Sequence, residues 1–365
     1  MSHLTRVSCV LAIGAIFLLA LAAVRTVIVG GEVAGWDHSF HYTNAYLTYL
    51  YFLPEGHPVG YDSWHMYGWC PNLYYNPGTT LFVALAQRWL APLLGPKSVY
   101  SLCVALSYAL MAPAAAGLAH ALTGSQLAAV TAALASVAVF DEENSWTDAG
   151  WRQVYYVGMW PQRWGLVTGF ASAALLAYAL GARGARRYAL LALSSILMAW
   201  SLLSHVMMGV ATAIFAALIG LLGAFRAAAL GRGGESARTL ALVAAWLLWA
   251  LALSAFWAVP LLATNAEYHG LRTLTWEVGI GVVWAVLRSY PPYLNLLAAA
   301  GPALPLVRQG ERSPRLWLLY ALWAFLAAAP ALSFARLIPL EWMGTLTLLS
   351  LIPAALLLSS NGWWP

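Results

Sequence analysis

Four groups of residues in this chain are chemically able to act. The first is Asp37, followed by His38 and His41 in the stretch Gly35-Trp36-Asp37-His38-Ser39-Phe40-His41. A carboxylate here can serve as a general base. His38 and His41 lie one helical turn apart, so with Asp37 they offer three donors to a divalent cation. Each feature also has a plain alternative. Asp37 precedes an amphipathic run, His38 to Phe52, and can simply cap that helix. Two histidines at a membrane boundary can simply be solvated.

The second group is Asp141, Glu142, Glu143 and Asp148, followed by Arg152 and by Met159-Trp160-Pro161-Gln162-Arg163-Trp164. Acids so placed can hold a cation or move a proton, or can form a solvated turn. His205 stands alone in Leu202-Leu203-Ser204-His205-Val206, between two apolar runs. The last group is His269, Arg272, Glu277 and Arg288, in the stretch Tyr268 to Pro292. The planar guanidinium groups suit phosphate, although lipid headgroups would satisfy them equally.

The rest of the chain must hold these groups in place, and its composition says how. Of 365 residues, 62% are hydrophobic and 8% charged, with mean hydropathy +0.73. So few charges cannot coat a water-soluble globule of this size, so the solvent must be largely lipid. Basic residues do not interleave with aromatics in a stripe, which argues against nucleic-acid binding. Cys9, Cys70 and Cys103 lack metal-binding spacing, so neither a disulfide nor a zinc cluster is expected.

Apolar runs at Val7–Val29, Val99–Ala121, Ser125–Phe140, Gly165–Leu180, Tyr188–Leu203, Val206–Phe225, Thr239–Leu262, Tyr293–Val307, Leu316–Leu332 and Thr345–Leu358 predict about ten membrane-spanning helices. The first competes with a signal peptide and is read as an uncleaved helix, with Arg25 reaching back to the boundary. Three basic clusters, Arg183/Arg186/Arg187, Arg226/Arg232/Arg238 and Arg308/Arg312/Arg315, belong on the cytoplasmic side. Parity then puts the N-terminus inside and residues 30–98, 141–164 and 263–292 outside. It also forbids Pro77–Leu94 to cross, so that run should lie along the outer surface as a juxtamembrane helix. Asn76 and Pro77 are suited to start it. Of the acids only Glu235 and Glu311 face inward, which leaves the outer face acidic. The expected architecture is an all-α, polytopic membrane protein, a single transmembrane domain over residues 1–365 with no separate soluble domain.

These pieces resemble a known superfamily. One span leads into an external loop opening on Gly35-Trp36-Asp37-His38. Gly56-His57-Pro58 and Tyr74-Tyr75-Asn76-Pro77 follow, then a second surface helix that ends at Gly95. This is similar to the GT-C polytopic glycosyltransferases, in particular the branch of protein O-mannosyltransferases and aminoarabinose transferases. Where that branch carries Tyr-Pro-Pro-Leu, this chain has Tyr75-Asn76-Pro77-Gly78. The resemblance implies transfer of a sugar from a polyprenyl-phosphate-linked donor to an acceptor on the external face. It implies that Asp37 sits at the reaction centre and that a second acid comes from the Asp141/Glu142/Glu143 region.

The expected catalytic residues are therefore Asp37, Asp141 and Glu142. His205, Arg288, Arg272 and Arg163 are expected to bind substrate. A divalent cation, Mg²⁺ or Mn²⁺, would rest on Asp37, His38 and His41. The expected location is the cytoplasmic membrane. A lipid-handling or assembly protein without turnover is the alternative reading. A transporter is disfavoured, because no charge sits in the middle of a span.

Overall fold

The computed structural model describes residues 3–30, 33, 35, 37–63, 70–73, 75–138 and 153–268. The acids Asp141, Glu142, Glu143 and Asp148 lie outside the described residues. So do Arg152, Arg272, Arg288 and the three runs expected to span after residue 268.

The described chain is helical: α1 (His3–Ala23), α2 (Arg25–Gly30), α3 (His38–Leu47), α4 (Pro77–Leu94), α5 (Pro96–Ala109), α6 (Met111–Thr123), α7 (Gln126–Val137), α8 (Trp160–Gly181), α9 (Gly184–Ser204), α10 (Val206–Ala229) and α11 (Gly233–Tyr268). Two wider π-helical turns, Thr48–Phe52 and Gln153–Val157, follow α3 and precede α8. Among the described residues, six helical stretches are long and apolar enough to cross a membrane: Arg6–Ala23, Pro96–Thr123, Trp160–Gly181, Gly184–Ser204, Val206–Ala229 and Gly233–Thr264. The run expected to span at Ser125–Phe140 is a shorter apolar helix of 12 residues. The single run Val7–Val29 is broken at Val24 into α1 and α2.

The Pro77–Leu94 helix has the bounds the sequence predicts and is not among the six. It is amphipathic, burying Thr79, Thr80, Val83 and Gln87 and exposing Leu85, Trp89 and Leu93. Gly95 ends it at φ 78°, with its N–H donating to the Ala91 carbonyl at 2.8 Å. A residue with a Cβ would strain that position.

Helices α8, α9 and α10 form an up-down-up core, and residue pairs fix the register. Ser172 and Ser194 hydroxyls each donate to the other's carbonyl at 2.7 Å. Seven residues back on α8 and seven forward on α9, the Ser201 hydroxyl donates to Gly165 at 2.7 Å. The two helices are therefore antiparallel. A Cβ on Gly209 would lie 2.6 Å from Leu202 Cα, and one on Gly169 would lie 2.5 Å from Thr212 Oγ1. Small residues thus let α9 and α8 approach α10 closely, which is how helices associate where lipid removes the hydrophobic drive. The α11 helix joins through Ser195 Oγ, which donates to Trp246 O at 3.2 Å, and Trp246 Nε1, which donates to Ser172 Oγ at 3.3 Å.

This alternation puts the Arg183/Arg186/Arg187 and Arg226/Arg232 turns at one end of the bundle and the His205 turn at the other. The end that holds His205 also receives the start of α8 and, as shown next, the loop that bears Asp37.

Candidate functional site

Asp37 is held by backbone on both sides. Its N–H donates to Val157 O at 2.9 Å, and its carbonyl accepts from His41 N at 3.0 Å. Gly158, at φ 99°, lies so close that a Cβ there would be 2.9 Å from His38 N and 3.0 Å from Asp37 Cβ. A Cβ on Gly35 would fall 2.1 Å from Tyr156 O. The aspartate therefore rests on the π turn that leads into α8. It occupies the N-cap position of α3, but its side chain makes no capping bond. The carboxyl is half-buried, and burial raises its pKa. A carboxylate not used as a cap and made more basic by burial suits proton transfer better than structure.

The histidines differ from expectation, since neither is solvated: His38 and His41 are 1% and 3% exposed. His38 Nε2 faces the Val154 and Tyr155 carbonyls at 3.0 and 3.2 Å, so it carries the proton. Nδ1 therefore accepts from Tyr100 OH at 2.8 Å, and Tyr100 oxygen in turn accepts from Trp160 Nε1 at 3.1 Å. The relay fixes one tautomer and uses both ring nitrogens, which leaves His38 nothing to give a metal. Burial holds it neutral, with its pKa lowered to about 4. The expected Asp37–His38–His41 ligand set is thus not formed. No group of three His, Cys, Asp or Glu among the described residues could hold a metal ion.

His41 is the histidine left over. Its Nε2 is buried without a hydrogen-bond partner, and its ring lies against Tyr75 and Trp160 at centroid distances of 5.4 and 6.2 Å. Burial and the neighbouring His38 and His205 lower its pKa to about 3. Three more buried polar atoms at this end of the bundle have no partner. Asn44 Oδ1 is one turn on along α3, Gln162 Oε1 is in the first turn of α8, and His205 Nδ1 starts α10. Burial lowers the His205 pKa to about 4, so its imidazole is neutral too. Orphaned polar atoms are costly singly, and four at one end of a bundle mark a place built to meet a polar guest or water.

The elements converge through further contacts. Asn76, at the start of α4, does not cap that helix. Its Nδ2 donates to Leu202 O at 3.0 Å, at the end of α9. A Cβ on Gly78 would lie 2.7 Å from the Leu203 and Ser204 backbone, and one on Gly165 would lie 3.4 Å from His205 Cβ. Trp257 Nε1 of α11 donates to Leu73 O at 3.0 Å. The starts of α3, α4, α8 and α10 thus meet at one end, none with a capping side chain. Helix N-termini carry partial positive charge and unpaired N–H groups.

Arg163 lies elsewhere. It is 1% exposed, donates through Nη2 to Ser136 O and sits over the Tyr108 ring at 5.0 Å. That contact ties α8 to α5 and α7. Sequence reasoning passed over Asn44, Tyr75, Tyr100 and Gln162. The available signals were Asn44 three residues after His41, and Tyr75 and Gln162 inside the two motifs already singled out.

No described family and no curated sequence matches this chain. Solved structures do. An oligosaccharyltransferase from Archaeoglobus fulgidus in the apo form matches with a TM-score of 0.61 at 14% identity, over 95% of this chain and 50% of that one. The archaeal oligosaccharyltransferase AglB of that organism, in complex with an inhibitory peptide and a dolichol-phosphate, matches with 0.62 at 15% identity, over 98% and 51%. A complex of the A. fulgidus oligosaccharyltransferase with Zn and sulfate matches with 0.54 at 14% identity, over 94% and 48%. The likeness is one of fold, and the chain spans about half the length of these proteins.

Proposed function

We propose that the chain is a membrane glycosyltransferase of GT-C type, transferring a sugar from a polyprenyl-phosphate-linked donor to an acceptor at the external face of the cytoplasmic membrane. The single observation that carries this reading is Asp37: half-buried, raised in pKa, not used as a helix cap, and set beside a cluster of orphaned polar atoms. The fold shared with oligosaccharyltransferases, one of them bound to a dolichol-phosphate, supports the same reaction class.

In this scheme the acceptor nucleophile bonds to the anomeric carbon as its proton passes to the Asp37 carboxylate. The bond from the anomeric carbon to the phosphate oxygen breaks, and its electron pair leaves with the lipid phosphate. His41, His205, Asn44 and Gln162 supply neutral hydrogen bonds to sugar hydroxyls or to the phosphate. Because His205 is neutral, phosphate charge must be met by cations, for which Arg272 and Arg288 are proposed. Asp141 and Glu142 are proposed to complete the acidic side with Asp37. Oxygen ligands of this kind fit Mg²⁺ or Mn²⁺, and His38 is not one of the ligands. When bound, the ion would neutralise charge on the leaving phosphate.

The test is mass spectrometry of lipid-linked sugars and surface glycans in cells with and without the gene. Accumulation of one lipid-linked sugar together with loss of one glycan is expected. Identical profiles for both pools would contradict turnover.

A further inference from the structure

The basic end of the bundle lies opposite His205, and its arginines take no part in the site around Asp37. Arg187 stands in the first turn of α9 and Arg226 in the last turn of α10. These two helices are antiparallel: Thr212 Oγ1 points at Met198 Sδ at 4.0 Å, and Gly209 packs on Leu202 nearer the His205 turn. Arg187 comes eleven residues before Met198, about three turns, so it shares the face of Met198. Arg226 comes fourteen residues after Thr212, about four turns, so it shares the face of Thr212. The two arginines therefore face each other across the α9–α10 contact, within about 5 Å of the same level along the bundle axis. Ser195 Oγ donates to Trp246 O at 3.2 Å, and Arg187 and Arg238 each come eight residues earlier. Because α11 runs parallel to α9, Arg238 reaches the same level from the third helix.

Arg187 and Arg226 are half-buried, and the Nε of each is buried without a hydrogen-bond partner. Among the described residues no carboxylate pairs with either, since Glu235, the acid of this end, pairs with Arg232 at 3.6 Å. Like charges facing each other at the edge of a lipid phase repel, and water reaches neither Nε. A group with negative charge and several acceptor oxygens relieves both costs, and a phosphate is such a group. The neighbouring exposed side chains Tyr188, Leu221 and Phe225 are apolar. Leu221 and Phe225, one turn apart, make a ridge that runs from Arg226 into the spanning stretch Val206–Ala229. Such a ridge takes an acyl chain, so the phosphate that fits is one carried by a lipid. The positive-inside rule puts this end at the cytoplasmic leaflet, where basic pockets between helices meet anionic head groups.

We propose that Arg187 and Arg226 bind the phosphate of one anionic phospholipid of the cytoplasmic leaflet, bridging α9 and α10, with Arg238 adding charge at the same level. The lipid is a structural ligand at the end of the bundle opposite Asp37. The assignment does not rest on the glycosyltransferase reading.

The test uses the full chain in phosphatidylcholine nanodiscs containing a small fraction of phosphatidylglycerol, with bound lipid counted by native mass spectrometry. Wild type should retain phosphatidylglycerol above its share of the bilayer. Arg187→Gln and Arg226→Gln should each weaken that retention about fivefold or more, and the double variant little further, because both arginines hold one phosphate. Arg232→Gln removes the same charge from the same end and should retain the lipid like wild type. Retention by wild type at the bulk share overturns the proposal. An equal loss in Arg232→Gln makes the effect one of net charge and overturns the site. Displacement by inorganic phosphate at equal concentration overturns the lipid assignment. Thermal unfolding separates binding from a merely structural role. In pure phosphatidylcholine, Arg226→Gln should melt no lower than wild type, because the like-charge repulsion is relieved; adding phosphatidylglycerol should raise the melting temperature of wild type alone. A variant that melts lower in phosphatidylcholine and gains as much from phosphatidylglycerol as wild type would make Arg226 structural and overturn its role in binding.

Discussion

Acid should loosen this end of the bundle through His38, by an amount that can be worked out. Its folded pKa is lowered from the ordinary 6.5 to about 4, because burial disfavours the charged ring and outweighs the upward pull of its bonds to the Val154 and Tyr155 carbonyls. The fold therefore favours the neutral form. The stabilisation is fully present above about pH 6.5 and is lost as pH falls toward 4, where the unfolded chain binds the extra proton. Between pH 7 and pH 4.5 the loss comes to about 2 kcal/mol from this residue. His41 and His205 titrate in the same direction, so wild type alone cannot isolate it. The comparison is with His38→Gln, which should be weaker at pH 7 by about 1–3 kcal/mol, since Tyr100 and a carbonyl lose a partner. Thermal unfolding of both proteins in the same detergent, from pH 7 to 4.5, should show that gap closing as pH falls. Two parallel curves with a constant gap would refute the neutral, relay-bound His38.

Other expected outcomes use the same contacts. Gly158→Ala forces a Cβ to 2.9 Å from His38 N at a φ of 99°, which moves Asp37; turnover should fall about 10²-fold in a protein whose helical circular dichroism is unchanged, and full activity would show that the contact yields harmlessly. Cysteines introduced by Ser63→Cys and Ser98→Cys in a Cys-free background should both react with an impermeant thiol reagent in intact cells if Pro77–Leu94 lies along the outer surface; labelling at 63 alone would make it a span. Chelation should abolish transfer, and Mg²⁺ or Mn²⁺ should restore it, whereas activity that resists chelation after exhaustive dialysis would leave phosphate neutralisation to cations of the chain.

The helices were legible because their signals are local. Asn76-Pro77 and Gly95 bound α4 as read, and the runs at Tyr188–Leu203 and Val206–Phe225 lie within α9 and α10. Burial at the site was not legible, because it depends on partners far along the chain. His38 looks like a solvated interfacial residue until Tyr100 and the carbonyls at 154 and 155 close over it, and His41 until Tyr75 and Trp160 pack against its ring. Arg163 reads as a phosphate ligand by type. Its partner, Ser136, lies on a different helix, and no spacing rule links the two.

The central claim is that Asp37 moves a proton rather than caps a helix, and one substitution separates these roles. Asparagine caps about as well as aspartate, but it cannot act as a base. Turnover of lipid-linked sugar by purified Asp37→Asn, at a melting temperature matching wild type, should fall by roughly 10²–10⁴. Near-normal turnover in that variant would contradict the account.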